Sequence, residues 1–437
     1  MRNESVKKKQ ERIAIVSGLR TPMARAGGRF AKIEADRLGA LLFRELMLRS
    51  PIEYEEVDEV IIGNVAQPIH AANIARVIAL RAGFPESTPA LTVHRNCASG
   101  MESITTAASR IHAGEGSIYV CGGVESMSNI PLVYNERMTS LFSKLAASKT
   151  AVDKVRALFG FRPSYLKPVV GLMSGLTDPV SGLMMGSTAE VLAQDFGISR
   201  EAQDLFALRS HQKAQKAKES GRFSLESMAV VYDLYEGRYL DYDDGIRKAQ
   251  TLEKLLVLKP FFDKKNGTVT AGNASQITDA AAGVVIMSES DARKRGIEPL
   301  GYLRDYTYSG LEPKRMGLGP VFATYKLFGQ TGLGMDDMQI VEINEAFAAQ
   351  VIACEKAFAS KKFAKVHFGE NKAVGAIDPD ILNVNGGAVA LGHPVGMTGT
   401  RLVITLLHEL RRRGLQRGLA TLCVGGGQGA ALMLEVK

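Results

Sequence analysis

Cys97 lies in the stretch VHRNCASGMESI, where an apolar, strand-like run meets a glycine-flanked turn that opens a helix. At the start of a helix, backbone N–H groups and the positive end of the helix dipole favour a thiolate over a thiol. The pattern therefore predicts an activated cysteine nucleophile with a lowered pKa. A lone cysteine is more often a small buried hydrophobe, so a second reacting group is needed to support this interpretation.

Three glycine-rich turns are candidates for holding that second group, and they span residues 96–100, 385–399 and 423–429. Glycine lets the backbone approach a ligand closely and present N–H groups to an oxyanion. The second turn contains His393, and a histidine beside a cysteine activates the thiol. The third turn begins at Cys423, which could be a second thiol that moves protons at the same place.

The chain around Cys97 alternates strand and helix signals, which predicts an α/β fold with a mostly parallel sheet covered on both faces. The same order of elements returns near the C-terminus, where DILNVNGG is predicted as a strand, MTGTRLVITLLHELRRRG as a helix and LATLCVGGGQGAALMLEV as strands around a turn. Aligning Gly100 with Gly399 places the two series in register and predicts an internal duplication. Such a rhythm is also common to unrelated α/β proteins. A pseudo-twofold relation would bring Cys97 and His393 together at the seam between the halves.

The rhythm breaks over residues 130–257. Residues 137–161 place apolar side chains at helical spacing beside a lysine- and arginine-rich face. A basic amphipathic segment of this kind, taken as 137–162, can contact a membrane surface, bind a partner or cover the protein's own core. Further along, SREAQDLFALRSHQKAQKAKESG is predicted as a capped polar helix over a ligand cleft.

Composition narrows the class of protein. The 437 residues carry a net charge of +8, which favours anionic partners such as a phosphorylated small molecule or a membrane surface. No nucleic-acid-binding motif is present, so nucleic acid is not expected as a partner. Four cysteines form no disulfide framework, which favours a reducing compartment and a cytoplasmic location. No apolar run is long enough to cross a membrane, and residues 1–11 are predicted to be a short solvated arm.

The chain also lacks several catalytic motifs. No P-loop is present, and neither CxxC nor HExxH occurs, so no metal site is predicted. The GxSxG motif of α/β-hydrolases is absent as well.

Five motifs in order resemble those of the thiolases, the acetyl-CoA acyltransferases and acetyltransferases. They are NCASGM around Cys97, GTVTAGNAS ending at Ser275, NEAFAAQ from Asn344, GGAVALGHPVG around His393 and CVGGGQG from Cys423. The resemblance implies duplicated αβ halves in a layered αβαβα arrangement with an inserted loop domain. It divides the chain into an N-terminal half over 1–129 completed by 258–290, a CoA-binding loop domain over 130–257 and a C-terminal half over 291–437. It further implies a homodimer or homotetramer.

The resemblance also implies roles for individual residues. Cys97 would carry the acyl group, His393 would take its proton, and Cys423 would act as acid and base. Asn344 would hold a water in one oxyanion hole, and the N–H groups of Cys97 and Gly425 would form the other. Coenzyme A would be a co-substrate, with no tightly bound cofactor, and its expected contacts are Met185, Arg247, Ser275 and Phe347.

Two signals in the sequence favour different substrates. The long basic insert is similar to that of thiolase subunits in fatty-acid oxidation complexes, where such a segment meets a multifunctional hydratase/dehydrogenase subunit or membrane. Those subunits often carry HEAFA, whereas this chain has NEAFA. The expected activity is cleavage of 3-ketoacyl-CoA by CoA to acetyl-CoA and a shortened acyl-CoA in β-oxidation. The alternatives are an acetoacetyl-CoA thiolase working in condensation and, from another class, a non-catalytic CoA or lipid carrier.

Overall fold

The computed structural model describes residues 11–437, so the predicted arm lies outside the described residues except for Glu11. The strands are β1 (Ile13–Arg20), β2 (Ala24–Arg25), β3 (Glu59–Gly63), β4 (Ala90–Val93), β5 (Ile118–Ser126), β6 (Leu132–Val133), β7 (Val169–Val170), β8 (Val230–Asp233), β9 (Arg238–Leu240), β10 (Thr278–Ser288), β11 (Gly301–Gly310), β12 (Ile340–Ile343), β13 (Arg417–Val424) and β14 (Gln428–Glu435). The helices are α1 (Ala35–Arg49), α2 (Ile74–Ala82), α3 (Ser99–Ala113), α4 (Glu136–Ala147), α5 (Ala151–Phe159), α6 (Gly171–Gly175), α7 (Met185–Asp195), α8 (Arg200–Glu219), α9 (Leu252–Leu256), α10 (Glu289–Lys294), α11 (Gly319–Thr331), α12 (Ala348–Ala359), α13 (Lys361–Phe368), α14 (Ala388–Leu391) and α15 (Thr398–Arg413).

Strand pairing confirms the predicted duplication. One sheet runs in the order β12-β13-β14-β11-β1-β10-β5-β3-β4, with β2 added on β10. In the N-terminal half, β3 pairs with β5 in parallel, and β5, β10 and β1 follow antiparallel. In the C-terminal half, β12 pairs with β13 in parallel, and β13, β14 and β11 follow antiparallel. The two halves therefore repeat one pairing pattern and join edge to edge through β1 and β11.

The sheet is mixed, so the prediction of a mostly parallel sheet is wrong. Among the strands of residues 11–437, the parallel pairs within the sheet are β3–β4, β3–β5 and β12–β13, and the other pairs are antiparallel. The tight glycine turn after Cys423 can join only antiparallel neighbours, since a parallel connection needs a crossover of a dozen or more residues. Sequence rhythm shows that strands and helices alternate, but it does not give the direction in which each strand enters the sheet.

Three large apolar cores hold five layers of strands and helices together. One core packs α1 and α2 on the outer face of the N-terminal strands, and another packs α11 and α12 on the outer face of the C-terminal strands. The third lies between the two sets of strands and contains the apolar faces of α3 and α15. This is the αβαβα arrangement that the motif resemblance implies.

The two central helices cross at a pair of glycines. A Cβ on Gly100 would lie 2.6 Å from Thr400 Oγ1, and a Cβ on Gly399 would lie 2.6 Å from the Met101 nitrogen. The reciprocal contacts place α3 and α15 around a pseudo-twofold axis. Because both positions tolerate no side chain, glycine is required for the two helix starts to approach this closely.

The stretch DILNVNGG is not a strand, contrary to prediction. It makes a single bridge, between Leu382 and Val341. Asn383 has a φ of +43°, and its side chain bonds to the Ile343 backbone, accepting from the N–H at 2.8 Å and donating to the carbonyl at 2.9 Å. The left-handed backbone ends the extended run, and the side chain replaces the ladder bonds that a strand would have made.

The segment from 130 to 257 lies largely outside the sheet. It forms two small hairpin-like pairs, β6–β7 and β8–β9, and the predicted amphipathic helix is two helices, α4 and α5. Thr150 starts the second helix by accepting a hydrogen bond from the Asp153 N–H. The polar helix predicted near 200 is confirmed as α8, which Ser199 caps. Among residues 11–437, no helix combines the length and apolar character needed to span a bilayer.

Candidate active site

Cys97 lies in a tight turn between β4 and α3, as the sequence predicts. Asn96 takes a φ of +43°, and its side-chain amide donates to the Gly425 carbonyl at 2.8 Å. Ser99 accepts from the Arg95 N–H at 2.9 Å and donates to the Asn96 carbonyl at 2.7 Å. These bonds fix the turn and tie it to the glycine turn of the C-terminal half.

Burial raises the pKa of the Cys97 thiol, and hydrogen bonds from the Gly425 N–H and from its own N–H offset this effect only in part. The prediction of a lowered pKa is therefore wrong. The helix begins at Ser99, two residues after the cysteine, and the loss of solvation around an enclosed sulfur outweighs the nearby backbone donors. Ionisation of this thiol needs a base that removes its proton.

His393 is a buried neutral imidazole. Its Nδ1 lies 2.6 Å from Thr398 Oγ1, and that hydroxyl donates its only hydrogen to the Pro394 carbonyl at 3.0 Å. The hydroxyl therefore accepts from Nδ1–H, which leaves Nε2 without a proton. Burial, together with the charge of Arg401, lowers the pKa of His393 to about 3, so Nε2 can accept a proton at neutral pH.

Asn344 follows β12 directly and is fully buried. Its amide nitrogen lies 3.5 Å from His393 Nε2, and its N–H donates to the Thr421 carbonyl at 3.0 Å. Among the described residues, its Oδ1 is buried without a hydrogen-bond partner. A buried amide oxygen of this kind is a place for a hydrogen donor, either a water or a ligand group.

Cys423 lies near the end of β13 and is buried. Burial first, and then the proximity of Cys97 and Cys354, raises the pKa of Cys423 well above that of a free thiol. Because Cys97 contributes to the raised pKa of Cys423, the two sulfur atoms lie close to each other. The Cys423 thiol therefore remains protonated at neutral pH and can donate a proton.

The pseudo-twofold gathers these residues at one seam. The N–H of Gly425, two residues after Cys423, acts to lower the pKa of the Cys97 thiol, which places this turn beside the sulfur. Gly100 and Gly396 each follow a candidate residue by three positions, and a Cβ on Gly100 would lie 2.9 Å from the Gly396 carbonyl oxygen. The starts of the two helices are thus in contact, which brings the turns that carry Cys97 and His393 to the same place.

The four residues expected to contact CoA occupy loops and helix starts. Met185 begins α7, and its sulfur lies 3.4 Å from where a Cβ on Gly425 would stand. Phe347 precedes α12 and forms a bridge with Ala274, next to Ser275. Burial and the charge of Arg25 lower the pKa of Arg247, whose guanidinium makes no ion pair within residues 11–437. An unpaired, partly buried cation suits an anionic group such as a phosphate.

Three contributors to the site escaped sequence reasoning: Glu125, Gln276 and Thr398. Gln276 accepts the His393 N–H at its backbone carbonyl, at 3.0 Å, and Thr398 sets the tautomer of the imidazole. Glu125 is 1% exposed and accepts the Gly396 N–H at 2.8 Å. A charged residue inside the apolar run IYVCGGVES was the available signal, because ionisable side chains are rarely fully buried without a partner.

In the described part of the chain, one cluster of side chains that could bind a metal lies outside this seam. Donor atoms of Glu34, Asp36 and His70 lie within 4.8 Å of one another. The guanidinium of Arg81 already pairs with Asp36 at 3.1 Å, which satisfies much of the negative charge that a cation would need. None of the candidate catalytic residues belongs to this cluster.

Comparison with known families agrees with this geometry. Residues 13–290 match the model of the thiolase N-terminal domain, and residues 297–436 match that of the thiolase C-terminal domain. The chain belongs to the thiolase family. It is therefore an acyltransferase with the thiolase fold.

Among curated relatives of this thiolase, a 3-ketoacyl-CoA thiolase of Pectobacterium atrosepticum is 40% identical, with 99% of this chain and 98% of the relative covered. A 3-ketoacyl-CoA thiolase of Shewanella halifaxensis is 39% identical, with 98% and 97% covered. Solved structures include an acetyl-CoA acetyltransferase of Bacillus anthracis, with a TM-score of 0.86, 38% identity and coverage of 98% and 99%. The human mitochondrial 3-ketoacyl-CoA thiolase in complex with CoA has a TM-score of 0.84, 35% identity and coverage of 98% of both chains.

Because His393 is buried as a neutral imidazole, we expect the stability of the folded protein to decrease at acidic pH. Its pKa falls from 6.5 in the unfolded chain to about 3 in the folded protein, so the unfolded state binds more protons between these values. Stability should therefore be full above pH 6.5 and decline as pH falls towards 3. Urea unfolding at pH 7 and pH 5 should show a smaller acid loss for His393→Gln than for the native thiolase. The exposed His94→Gln serves as control, and an equal acid loss in native protein and His393→Gln would contradict the assignment.

Proposed function

We propose that this thiolase is a 3-ketoacyl-CoA thiolase that cleaves 3-ketoacyl-CoA with CoA to acetyl-CoA and a shortened acyl-CoA. The observation that carries the proposal is the seam itself, where a partly buried cysteine, a neutral imidazole and a second, protonated thiol lie among backbone N–H donors. The names of the curated relatives support the substrate class. We further propose that the reaction belongs to β-oxidation.

In the first half-reaction, His393 Nε2 takes the proton of Cys97, and the thiolate attacks the 3-keto carbon. The bond between C2 and C3 then breaks, the acyl group stays on Cys97, and acetyl-CoA leaves as an enolate. Cys423 gives its proton to that enolate. In the second half-reaction, the Cys423 thiolate takes the proton of the CoA thiol, and the CoA sulfur attacks the Cys97 thioester. The shortened acyl-CoA leaves, and His393 returns its proton to the Cys97 thiolate. Run in reverse, Cys423 removes the α-proton of acetyl-CoA.

Negative charge develops on a thioester or keto oxygen in each step, and two sets of donors are available to it. The N–H groups of Cys97 and Gly425 already face the cysteine sulfur. Asn344 offers its buried amide on the other side, where a water bound by it would complete a second oxyanion hole. Donors fixed before the reaction stabilise the transition state without reorganisation.

Coenzyme A fits the same proposal as a co-substrate, with no tightly bound cofactor. Arg247 would face an anionic part of the nucleotide, Ser275 the pantetheine, and Met185 and Phe347 the channel towards Cys97. The CoA complex of the human relative supports this expectation. The contact of Met185 with the Gly425 turn places the expected channel beside the nucleophile.

A chain-length profile of kcat/KM, measured with CoA and 3-ketoacyl-CoA substrates from four to sixteen carbons, tests the substrate. We expect loss of the 3-ketoacyl absorbance and higher kcat/KM on the longer substrates. A preference for acetoacetyl-CoA alone would favour the second candidate, an acetoacetyl-CoA thiolase working in condensation. That candidate is supported by NEAFA at residues 344–348 and by the structural likeness to an acetyl-CoA acetyltransferase. No turnover at any chain length would contradict both.

The alternative from another class, a non-catalytic CoA or lipid carrier, does not agree with an acyltransferase of the thiolase family. A carrier would also not require the two thiols and the imidazole that lie at the seam. Mass spectrometry after incubation with acetyl-CoA should show an acetyl adduct on the peptide that contains Cys97. Binding of CoA without any adduct would contradict the proposed role of Cys97 as the acyl carrier.

We also propose a division of the chain into an N-terminal half over 1–129 and 258–290, a loop domain over 130–257 and a C-terminal half over 291–437. The family models place the boundary between their two domains between 290 and 297, which supports the last division. A homodimer or homotetramer and a cytoplasmic location complete the proposal. The four free cysteines support a reducing compartment.

The surface of α4 and α5 exposes apolar side chains next to basic ones. Val152 is 68% exposed and Phe159 is 87% exposed, whereas Met138 and Leu141 of α4 are buried. Lys144, Lys149, Lys154 and Arg156 lie on the same segment. Helix α4 covers part of the protein's own core, but α5 has no buried residue. The apolar side chains of α5 therefore need another explanation. We propose that residues 137–162 contact an anionic membrane surface.

Co-sedimentation with vesicles of mixed phosphatidylcholine and phosphatidylglycerol tests this contact. Val152→Ser and Phe159→Ser together should reduce the bound fraction several-fold, because interfacial binding scales with buried apolar area. Val366→Ser, which removes a side chain of similar exposure on α13, should leave binding unchanged. If neither the native protein nor the variant sediments with the vesicles, the proposed membrane contact is wrong. The exposed surface of α5 would then favour a protein partner, such as a multifunctional hydratase/dehydrogenase subunit.

A further inference from the structure

The pseudo-twofold gives the active site a counterpart in the other half, and Glu125 occupies its centre. Gly123 pairs with Gly63 in the N-terminal half as Thr421 pairs with Ile343 in the C-terminal half. Glu125 follows Gly123 by two residues on β5, and Cys423 follows Thr421 by two residues on β13. Glu125 and Cys423 therefore occupy equivalent positions in the two halves. Likewise, Asn64 follows β3 as Asn344 follows β12.

The helix starts extend the correspondence. Cys97 precedes Gly100 by three residues, and Gly396 precedes Gly399 by three residues. Gly396 is thus equivalent to Cys97. Its contact with Glu125 corresponds, in the other half, to the position of Cys97 beside Cys423. In the counterpart site, however, the reacting groups are replaced by a carboxylate and a glycine N–H.

Glu125 binds both halves of the molecule at once. Its carboxylate accepts the N–H groups of Val65 at 3.2 Å and Ala66 at 2.9 Å, and the Asn64 amide at 3.1 Å, all from the loop after β3. From the other half it accepts the Gly396 N–H at 2.8 Å. Gly396 belongs to the turn that carries His393.

We propose that Glu125 is a positioning residue for acyl transfer, whose carboxylate holds the His393–Gly396 turn against the N-terminal half and so fixes His393 relative to Cys97. The inference rests on the thiolase reaction proposed above. A Cβ on Gly396 would lie 2.8 Å from Glu125 Oε2, so glycine is needed for this contact. The carboxylate touches no reacting atom and acts through the turn.

The charge of Glu125 also reaches the nucleophile. Its ionised form raises the pKa of Cys97, and burial raises the pKa of Glu125 to about 7, with Asp279 on the neighbouring β10 adding to the shift. The other groups that face it are the neutral Asn64 amide and the backbone N–H groups. Removing the charge should therefore make Cys97 easier to ionise while the displaced His393 turn makes turnover slower.

Glu125→Gln tests this combination, because glutamine keeps the size and one acceptor but loses the charge. We expect kcat to fall at least about 30-fold, with KM for CoA within about threefold. The rate of Cys97 alkylation by iodoacetamide, followed against pH, should have its midpoint shifted down by roughly half a unit or more. Alkylation needs no 3-ketoacyl substrate, so its result stands even if the proposed substrate is wrong.

Glu59→Gln is the matched control, since Glu59 is a buried carboxylate on the neighbouring β3 that pairs with Arg110. It should leave the alkylation midpoint and kcat close to native. If Glu125→Gln fails to fold, Gly396→Ala tests the same contact from the other side and should also lower kcat with KM retained. An unchanged alkylation profile in Glu125→Gln, or a loss of kcat no larger than in Glu59→Gln, would overturn the proposal.

Discussion

Cys97→Ala is expected to lower kcat by about 10³ or more. In the proposed mechanism the reaction proceeds through an acyl group on this sulfur, and we expect no other thiol at the seam to replace it. Cys423 is buried with a strongly raised pKa, and it lacks the pair of backbone donors that face the Cys97 sulfur. The substitution removes a small, partly buried side chain in a turn, so the fold should be kept. Steady-state cleavage of a 3-ketoacyl-CoA and the intact mass after incubation with acetyl-CoA are the measurements.

Cys121→Ala is the matched control for Cys97→Ala. Cys121 is a buried cysteine on β5, and burial raises the pKa of its thiol so far that it stays neutral. Its replacement should cost about 1 kcal/mol of stability and leave kcat close to native. Retained activity in Cys97→Ala, or an acetyl adduct that survives it, would show that the nucleophile is another residue.

Cys423→Ser should separate the two halves of the chemistry. Acylation of Cys97 by acetyl-CoA should proceed at a rate close to native, because attack on the thioester uses Cys97 and His393. Turnover with 3-ketoacyl-CoA should fall about 10²–10⁴-fold, since a serine hydroxyl is a far weaker acid and base than a thiol. Single-turnover mass spectrometry measures the first step, and steady-state absorbance measures the whole cycle.

Cys354→Ser provides the comparison for Cys423→Ser. Cys354 lies on α12, is buried, and its thiol donates to the Gly317 carbonyl at 3.2 Å. It lies close enough to raise the pKa of Cys423, yet it has no part in the proposed reaction. A serine there keeps the hydrogen bond, and turnover should stay within a few-fold of native. Equal loss of acylation and turnover in Cys423→Ser would contradict a separate role for the second thiol.

Much of the fold was predictable because the two halves repeat one pattern. Alternating strand and helix signals placed α15, β13 and β14 close to their observed bounds, and aligning Gly100 with Gly399 anticipated the internal duplication. The predicted strand at DILNVNGG failed because a left-handed Asn383 ends it. The single helix predicted over 137–161 failed because Thr150 starts a second one.

The directions of the strands and the pKa of Cys97 could not be predicted from the sequence. The mixed sheet depends on which strands meet through the β1–β11 edge, a contact between residues almost 300 positions apart. The raised pKa of Cys97 depends on how completely neighbours from both halves exclude water from the sulfur. The residues next to Cys97 in the sequence therefore determine neither the strand directions nor the pKa of its thiol.

The sequence by itself determined which groups could react: two thiols and an imidazole, each in a glycine-rich turn, with the amide of Asn344 added by the family resemblance. Only the tertiary structure decided their states. Burial leaves His393 neutral and Cys423 protonated, and the Thr398 hydroxyl selects the tautomer with a free Nε2. The physical reason is that desolvation and hydrogen-bond direction come from packing across the pseudo-twofold, which joins segments that are distant along the chain.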